Sequence, residues 1–133
     1  MDWKEIRTIA LVGASPKEER DSNKVMRHFQ SSGFRVIPIN PNYSEVNGEK
    51  CYPSLSALPE ELASKIDMVD VFVRGDRAYE VARETVALKQ KYGNVKVFWM
   101  QPGAYNEKAE GMCAGEGIEV ISNACAMVSH SRL

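Results

Sequence analysis

Five short apolar runs constrain the fold of this chain more than any other feature of its sequence. They are rich in β-branched residues and nearly continuous, and they span Thr8 to Val12, Arg35 to Ile39, Met68 to Val73, Lys96 to Met100 and Ile118 to Ile121. Such runs are typical of strands covered on both faces, because a solvated sheet face would require every second residue to be polar. The sequence therefore predicts a parallel sheet of about five or six strands.

Segments with helical periodicity lie between these runs. Ser22 to Ser32 forms one amphipathic segment, with Ser22 as the expected N-cap. Asp76 to Tyr92 is the clearest helix, and Asn106 is expected to cap a third one that reaches about Gly115. This alternation predicts an α/β domain with a doubly wound parallel sheet, right-handed crossovers and helices on both faces.

The stretch from Pro41 to Leu58 breaks this pattern, because it is richer in Pro, Ser, Asn and Gly. We expect a loop there with a short edge strand near Lys50 to Tyr52, followed by a brief helix after Pro59. The chain has 133 residues and no linker that separates two cores. Residues 1–133 are therefore expected to form one domain.

Charge and cysteine content narrow the possible partners and compartment. The formal charge of −1 provides no general attraction to nucleic acid or to acidic membranes, so neither is expected as a partner. Three of the first five residues are charged where a signal peptide would be apolar, and no later run reaches membrane-spanning length. The three cysteines match neither a disulfide framework nor a zinc pattern, so we expect reduced thiols and a cytoplasmic protein.

The turn after the first run, Gly13-Ala14-Ser15, is a candidate anion site. Ligands of open parallel sheets bind at the carboxyl ends of the strands, and small residues at such a turn let backbone N–H groups approach a phosphate. The helix near Ser22 would direct its positive end to the same place, and Arg20 and Lys24 would add charged donors. A tight turn with no ligand is the competing interpretation.

Two common nucleotide motifs do not fit this turn. Only Gly13 of the dinucleotide pattern of three glycines is present, and the second run is followed by Asn40-Pro41 where a ribose-binding acid would be expected. The lysine motif of P-loop nucleotidases is also missing. These features disfavour NAD and offer no phosphate cradle for ATP hydrolysis.

Several segments in a specific order give the chain a resemblance to a known family. They are Gly13-Ala14-Ser15, Ser22 to Val25, Ile37 to Pro41, Lys50 to Leu55, Val69 to Arg74, Trp99 to Ala104, Asn106-Glu107 and Ser129 to Leu133. With these segments the chain resembles the small stand-alone CoA-binding proteins of the YccU-like family. Their domain is similar to the CoA-binding domain of the succinyl-CoA synthetase alpha subunit.

The resemblance implies a Rossmann-type fold that binds coenzyme A, either free or acylated, at the carboxyl edge of the sheet. It implies that Gly13, Ala14 and Ser15 hold the pyrophosphate, near Arg20, Ser22 and Lys24. The remaining implied site residues are Asn40 and Pro41 beside the adenosine, Val73 and Arg74 in the crevice, and Gln101 and Gly103 along the pantetheine arm. No metal site is expected.

Catalysis is not implied, because the phosphohistidine chemistry of the synthetase uses a different domain. Cys125 and His130 could form a nucleophile and base, but a buried cysteine and a surface histidine are favoured over that pair. We therefore expect a non-catalytic or regulatory CoA-binding module. An NAD(P)-binding oxidoreductase or a CoA-dependent enzyme subunit is the alternative, and a homodimer or a partner protein remains open.

Overall fold

The computed structural model describes residues 1–133, which form seven strands and five α-helices. The strands are β1 (Thr8–Val12), β2 (Arg35–Ile39), β3 (Glu45–Val46), β4 (Glu49–Lys50), β5 (Met68–Val71), β6 (Val97–Met100) and β7 (Glu119–Ser122). The α-helices are α1 (Asp21–Ser31), α2 (Glu60–Ala63), α3 (Asp76–Tyr92), α4 (Glu107–Gly115) and α5 (Ala126–Ser131). Short 3-10 helices span Trp3–Glu5 and Leu55–Ala57.

Five of the strands form one parallel sheet in the order β2-β1-β5-β6-β7. The chain moves outward from β1 to β2, then returns past β1 to β5 and continues outward in the opposite direction. Because crossovers between parallel strands are right-handed, the two directions place their helices on opposite faces of the sheet. The prediction of a doubly wound parallel sheet with helices on both faces is confirmed, and its strand order reverses between β1 and β5.

Two apolar clusters cover the two faces of this sheet. One packs α1 and α5 against Ile9, Leu11 and Trp99, and the other packs α3 and α4 against Ala10, Val71 and Phe98. All five residues of β1 are buried, as is every residue of β5 and β6. The nearly continuous apolar runs therefore reflect strands that lie between two helical layers.

The edge strand expected at Lys50 to Tyr52 is replaced by a small hairpin. Strands β3 and β4 pair antiparallel with each other, and Tyr52 forms an isolated parallel bridge with Ile39. The hairpin turns at Asn47 and Gly48, which both have positive φ. Asn-Gly is a favoured pair for such turns, and it was present in the sequence as a hairpin signal.

Strand β5 ends at Val71, two residues earlier than predicted. Its neighbour β1 ends at Val12, which pairs with Val71, and the chain then turns away at Gly13 toward β2. Phe72 and Val73 therefore have no continuing strand beside them on that side. They form part of the turn into α3 instead.

The prediction of Ser22 as the N-cap of α1 is wrong. The helix begins at Asp21, its N-cap is Arg20, and no side chain caps the N-terminal N–H groups. Ser22 lies inside the first turn and is buried. Helix α5, which the sequence did not predict, begins after Cys125. None of the helices combines the length and apolarity that a bilayer crossing requires.

Candidate functional site

Three adjoining clefts open at the carboxyl ends of β1, β2 and β5, where the strand order reverses. Cleft A has a volume of about 270 Å³ and lies beside α3, cleft B has about 290 Å³ and lies beside the start of α1, and cleft C has about 400 Å³ and lies over the end of β5. Gly13 and Asn40 line all three clefts. The clefts therefore form one continuous surface around these two residues, at the position where open α/β sheets bind ligands.

Gly13 allows β1 to turn very close to the end of β5. Its φ is +92°, and a Cβ at this position would lie 3.1 Å from Cβ of Phe72 and 3.2 Å from Cγ1 of Val73. Residues with a side chain rarely adopt this φ, and both distances are shorter than ordinary van der Waals contacts between carbon atoms. Only glycine fits here without displacing its neighbours.

The backbone N–H groups of this turn are used differently than expected. Those of Gly13 and Ala14 both donate to the carbonyl oxygen of Ile39, over 2.9 Å and 3.3 Å. The expectation that they face a phosphate is therefore wrong, and the N–H of Ser15 alone in this turn has no acceptor within the chain. Gly13 and Ala14 contribute shape, while donors for an anion must come mainly from side chains.

Asn40 joins the two strand ends that border the clefts. Its Nδ2 donates to the carbonyl oxygen of Ala14 over 2.8 Å, and its Oδ1 accepts from the N–H of Asn42 over 2.9 Å. Its own N–H donates to the carbonyl oxygen of Tyr52. The side chain of Asn40 thus fixes the turns after β1 and β2, and its backbone N–H fixes the segment after β4.

Asn23 fixes the other side of the turn and is completely buried. Its Nδ2 donates to the carbonyl oxygen of Ser15 over 2.7 Å and to Oδ1 of Asn47 over 3.0 Å, while its Oδ1 accepts from Nε of Arg27. The loop between β1 and α1 is therefore tied to the helix and to the β3–β4 hairpin. This makes Asn23 a structural support for cleft B.

Four cationic side chains surround the clefts without any partner in the chain. Lys17 and Arg20 line cleft B, and Arg74 and Arg77 line cleft C. None of the four takes part in a salt bridge or a side-chain hydrogen bond of the structure. No acidic residue lines cleft B or cleft C. Unpaired cations that converge on a concave surface favour an anionic ligand.

Cleft A differs from the other two because its floor is apolar. Val12, Ile39, Val73 and Val81 line it together with Pro41 and Pro53. The acidic residues on its α3 wall are Asp76, Glu80 and Glu84. Glu84 is already occupied, because its Oε2 accepts from both the N–H and the hydroxyl of Ser56. A flat apolar group with amino or hydroxyl donors suits such a cleft.

Of the site residues named from the sequence, the structure brings eight to the clefts: Gly13, Ser15, Arg20, Ser22, Asn40, Pro41, Val73 and Arg74. Ala14 lies directly beneath them as the acceptor for Asn40. Lys24 is exposed on α1 and lines none of the three clefts. Ser22, two positions earlier in the same helix, lines cleft B, and helical residues two positions apart do not face the same side.

Gln101 and Gly103 do not line the clefts either. Gln101 is buried and its Nε2 donates to Oδ1 of Asp70 over 2.7 Å. This hydrogen bond joins the carboxyl ends of β6 and β5 beneath the surface. A Cβ on Gly103 would lie 3.2 Å from a guanidinium nitrogen of Arg74, so this glycine lets the arginine rest against the loop after β6. Burial raises the pKa of Asp70 to about 7, although the hydrogen bond from Gln101 opposes this.

The sequence interpretation missed five residues of clefts B and C, namely Lys17, Asn42, Tyr43, Phe72 and Arg77. A signal was available for Arg77, because a basic residue in the first turn of a helix that follows a strand lies at the functional edge of the sheet. Lys17 and Tyr43 lie in loops, and no periodicity indicates the direction of their side chains. Phe72 was assigned to a strand interior.

Cys125 and His130 do not form a nucleophile and base. Nδ1 of His130 lies 2.8 Å from Nε2 of His28, and the ring packs among Trp3, Phe29 and Phe34. Cys125, His130 and His28 are all half-buried. Burial lowers the pKa of His130, and the charge of His28 lowers it further by a smaller amount.

The other two thiols are not activated. Burial raises the pKa of Cys51 despite a backbone hydrogen bond from its thiol to Asn40, and it raises the pKa of Cys113 to about 12. All three cysteines are free thiols. No group of three or more His, Cys, Asp or Glu side chains is arranged to hold a metal ion.

The chain is similar to proteins that share this architecture. A family described as "CoA binding domain" matches residues 7–131. An uncharacterized protein of Bacillus subtilis, YneT, is 35% identical over 125 residues, which are 94% of this chain and 86% of that protein. A hypothetical protein from Pyrococcus horikoshii has a solved structure that is 39% identical with a TM-score of 0.88, covering 98% of this chain and 85% of that one.

A longer protein shares part of the same region. The ADP-forming acetate–CoA ligase I of Archaeoglobus fulgidus is 31% identical over 80 residues, which are 60% of this chain. Those residues are 12% of the ligase, so most of that enzyme has no counterpart here.

Proposed function

Because the chain belongs to the family of CoA-binding domains, we propose that it binds coenzyme A, free or acylated, in clefts A, B and C. The observation that carries this proposal is the pairing of one apolar cleft with four unpartnered cations around a shared opening at Gly13 and Asn40. Coenzyme A has the matching composition, since it combines a flat base with several phosphate charges. The clefts supply both kinds of contact within one continuous surface.

The chemistry of each cleft suggests which part of the ligand it takes. Adenine fits the apolar floor of cleft A, with Asn40 and Pro41 beside the adenosine. The pyrophosphate fits cleft B, where Ser15 has a free N–H and Lys17 and Arg20 supply charge. Phosphate oxygens accept charge-assisted hydrogen bonds from such groups. The pantetheine arm then leads past Arg74 toward Gly103.

We propose a binding or regulatory module rather than an enzyme. The lining of the three clefts contains neither a histidine nor a cysteine, which supports this assignment. The ligase match favours a second candidate, in which the domain presents coenzyme A to another protein that performs chemistry. A partner protein or a second copy of the chain would then have to cover the open side of the clefts.

The compartment and the domain boundary belong to the same proposal. The three free thiols support a reducing compartment such as the cytoplasm. The family match over residues 7–131 supports one domain for the whole of residues 1–133.

Isothermal titration calorimetry with CoA, acetyl-CoA, NAD and ATP tests the ligand class. We expect CoA and acetyl-CoA to bind more tightly than NAD and ATP. The double variant Lys17→Ala/Arg20→Ala should bind CoA about ten-fold more weakly or worse, because it loses two phosphate donors. The matched double variant Lys65→Ala/Lys108→Ala removes the same charge from exposed positions outside the clefts and should retain the wild-type affinity. Binding of NAD with no binding of CoA would overturn the proposal.

A further inference from the structure

Resting on the proposed function, we propose that Arg77 recognises the 3′-phosphate of coenzyme A and so distinguishes it from ligands that lack this group. Coenzyme A carries a phosphomonoester on the ribose in addition to its pyrophosphate. Dephospho-CoA is otherwise the same molecule. A residue that contacts only this phosphate would determine which of the two the protein prefers.

The position of Arg77 separates it from the other cations of the site. Arg77 lines both cleft A and cleft C, whereas Lys17 and Arg20 line cleft B alone and Arg74 lines cleft C alone. It is therefore the one cation on the wall of the apolar cleft that suits the base. A phosphate on the ribose of a base bound there would have Arg77 as the only cation that lines the same cleft.

The two phosphate-bearing arms of the ligand require two separate anion subsites. The pyrophosphate leaves the ribose through its 5′ carbon, while the 3′-phosphate is joined to the ring itself. Clefts B and C both open at Gly13 and Asn40, and neither is lined by an acidic residue. Cleft B takes the pyrophosphate, which leaves the border between clefts A and C, where Arg77 lies, for the 3′-phosphate.

Arg74 is a weaker candidate for this role because it is already placed against the loop after β6. A Cβ on Gly103 would come within 3.2–3.3 Å of three guanidinium atoms of Arg74, so the guanidinium lies flat on that glycine. Arg77 has no such contact, and it is exposed in the first turn of α3 with no salt bridge. Its planar fork of donors is free to bind a phosphate in a bidentate manner.

The acidic residues of cleft A also favour a position for the 3′-phosphate next to Arg77. Asp76 and Glu80 line cleft A on the same helix as Arg77 but do not line cleft C. A phosphate placed deep in cleft A would face these carboxylates. A phosphate placed at the border between clefts A and C would face Arg77 instead.

The test measures the affinities for CoA and dephospho-CoA by calorimetry in the wild type and in Arg77→Gln. The wild type should prefer CoA by about ten-fold or more, because one or two charge-assisted hydrogen bonds to the phosphate are lost with dephospho-CoA. Arg77→Gln should remove most of this preference by weakening CoA binding, while the dephospho-CoA affinity stays within about two-fold of wild type. Arg77→Lys should retain part of the preference.

Lys91→Gln is the matched control, because it removes one positive charge from the same helix at an exposed position that lines none of the clefts and pairs with none of their residues. It should leave both affinities unchanged. Equal affinity of the wild type for the two ligands would overturn the inference and leave CoA binding intact. So would an Arg77→Gln variant that weakens both ligands equally, or an Arg74→Gln variant that alone removes the preference. Failure of the wild type to bind either ligand would overturn the proposed function itself.

Discussion

The side-chain amide of Asn40 donates a hydrogen bond to the carbonyl oxygen of Ala14 over 2.8 Å, and this contact joins the ends of β2 and β1. The two residues are 26 positions apart in the chain. Asn40 also lines every cleft of the candidate site. The same side chain therefore serves both the fold and the ligand surface.

Replacing Asn40 separates these two roles. Asn40→Ala should lower the free energy of unfolding by about 1 kcal/mol, because it leaves the partly buried carbonyl of Ala14 without its donor. Asn40→Asp loses the same donor and also adds a negative charge at the opening shared by the clefts. We therefore expect Asn40→Asp to weaken CoA binding more than Asn40→Ala does, measured by calorimetry beside urea denaturation. Equal CoA affinities in the two variants would contradict an anion site at this opening.

Gly13→Ala should damage both stability and binding. The substitution combines a left-handed backbone with close contacts to Phe72 and Val73, so we expect a loss of about 2–4 kcal/mol in the free energy of unfolding. Gly33→Ala is the matched control, because Gly33 has a φ of +90° but no atom within 4 Å of its Cβ position. It should cost only about 1 kcal/mol and leave ligand affinity unchanged. If the two variants were equally stable, the close approach at Gly13 would not matter energetically.

Asp70→Asn should change how stability depends on pH. Asp70 has a pKa of about 7 in the folded chain against an ordinary value of 3.8, so the native state holds this proton between pH 4 and pH 7 while the unfolded chain has lost it. Its contribution to stability is therefore greatest below pH 4 and falls as the pH rises toward 7, by up to about 1.4 kcal/mol per pH unit. The asparagine variant should lack this decline and gain stability relative to wild type at pH 8. Urea denaturation at pH 5 and pH 8 measures the difference.

A matched Glu45→Gln variant removes an exposed carboxyl on β3 and should keep the wild-type pH dependence. A wild-type protein that is equally stable at pH 5 and pH 8, or an Asp70→Asn variant that declines as the wild type does, would argue against a protonated carboxyl at this position.

His130→Phe should make the protein less sensitive to mild acid. The pKa of His130 is lowered in the folded chain, so the unfolded state binds a proton first as the pH falls below about 6.5, and native stability is lost in that range. A phenylalanine retains the packing against Trp3, Phe29 and Phe34 but cannot be protonated. The drop in melting temperature between pH 7.5 and pH 5.5 should be smaller in the variant than in wild type.

His28→Phe is the companion variant, because it removes the charge that faces His130 and leaves its burial in place. Its acid sensitivity should lie between those of the wild type and His130→Phe. An unchanged pH dependence in His130→Phe would show that the histidine pair does not couple protonation to stability.

The sequence was most informative where local pattern determines structure. Strands β1 and β2 and helix α3 have the predicted bounds, because continuous β-branched runs and helical periodicity are properties of neighbouring residues. Helix α5 escaped prediction because its six residues are too few to show a period. It is placed by tertiary contacts instead, since Nε1 of Trp99 donates to the carbonyl oxygen of Ala124 just before it.

In the candidate site, too, local sequence predicts where a residue lies, whereas contacts between distant residues determine what its polar groups bind. The position of the turn at Gly13 follows from the end of the first strand, whereas the use of its N–H groups depends on Ile39, which is brought to it by strand pairing. Gln101 was placed correctly after a strand, but its side chain turns inward because Asp70 on the neighbouring strand needs a donor. Such pairings join residues that are distant in the chain and leave no periodic trace.

The carbonyl oxygen of Ile39 occupies two backbone donors that many phosphate sites leave free, so an anion here depends on long side chains such as Lys17 and Arg20. Each such side chain loses rotamer freedom of about 0.5–1.5 kcal/mol when a ligand orders it. In return, charges that reach into solvent accelerate the encounter with an anion, and added salt slows it. Because these two N–H groups are already bonded, flexible side chains rather than rigid backbone donors recognise the anion. Their charges act mainly on the rate at which the anion binds.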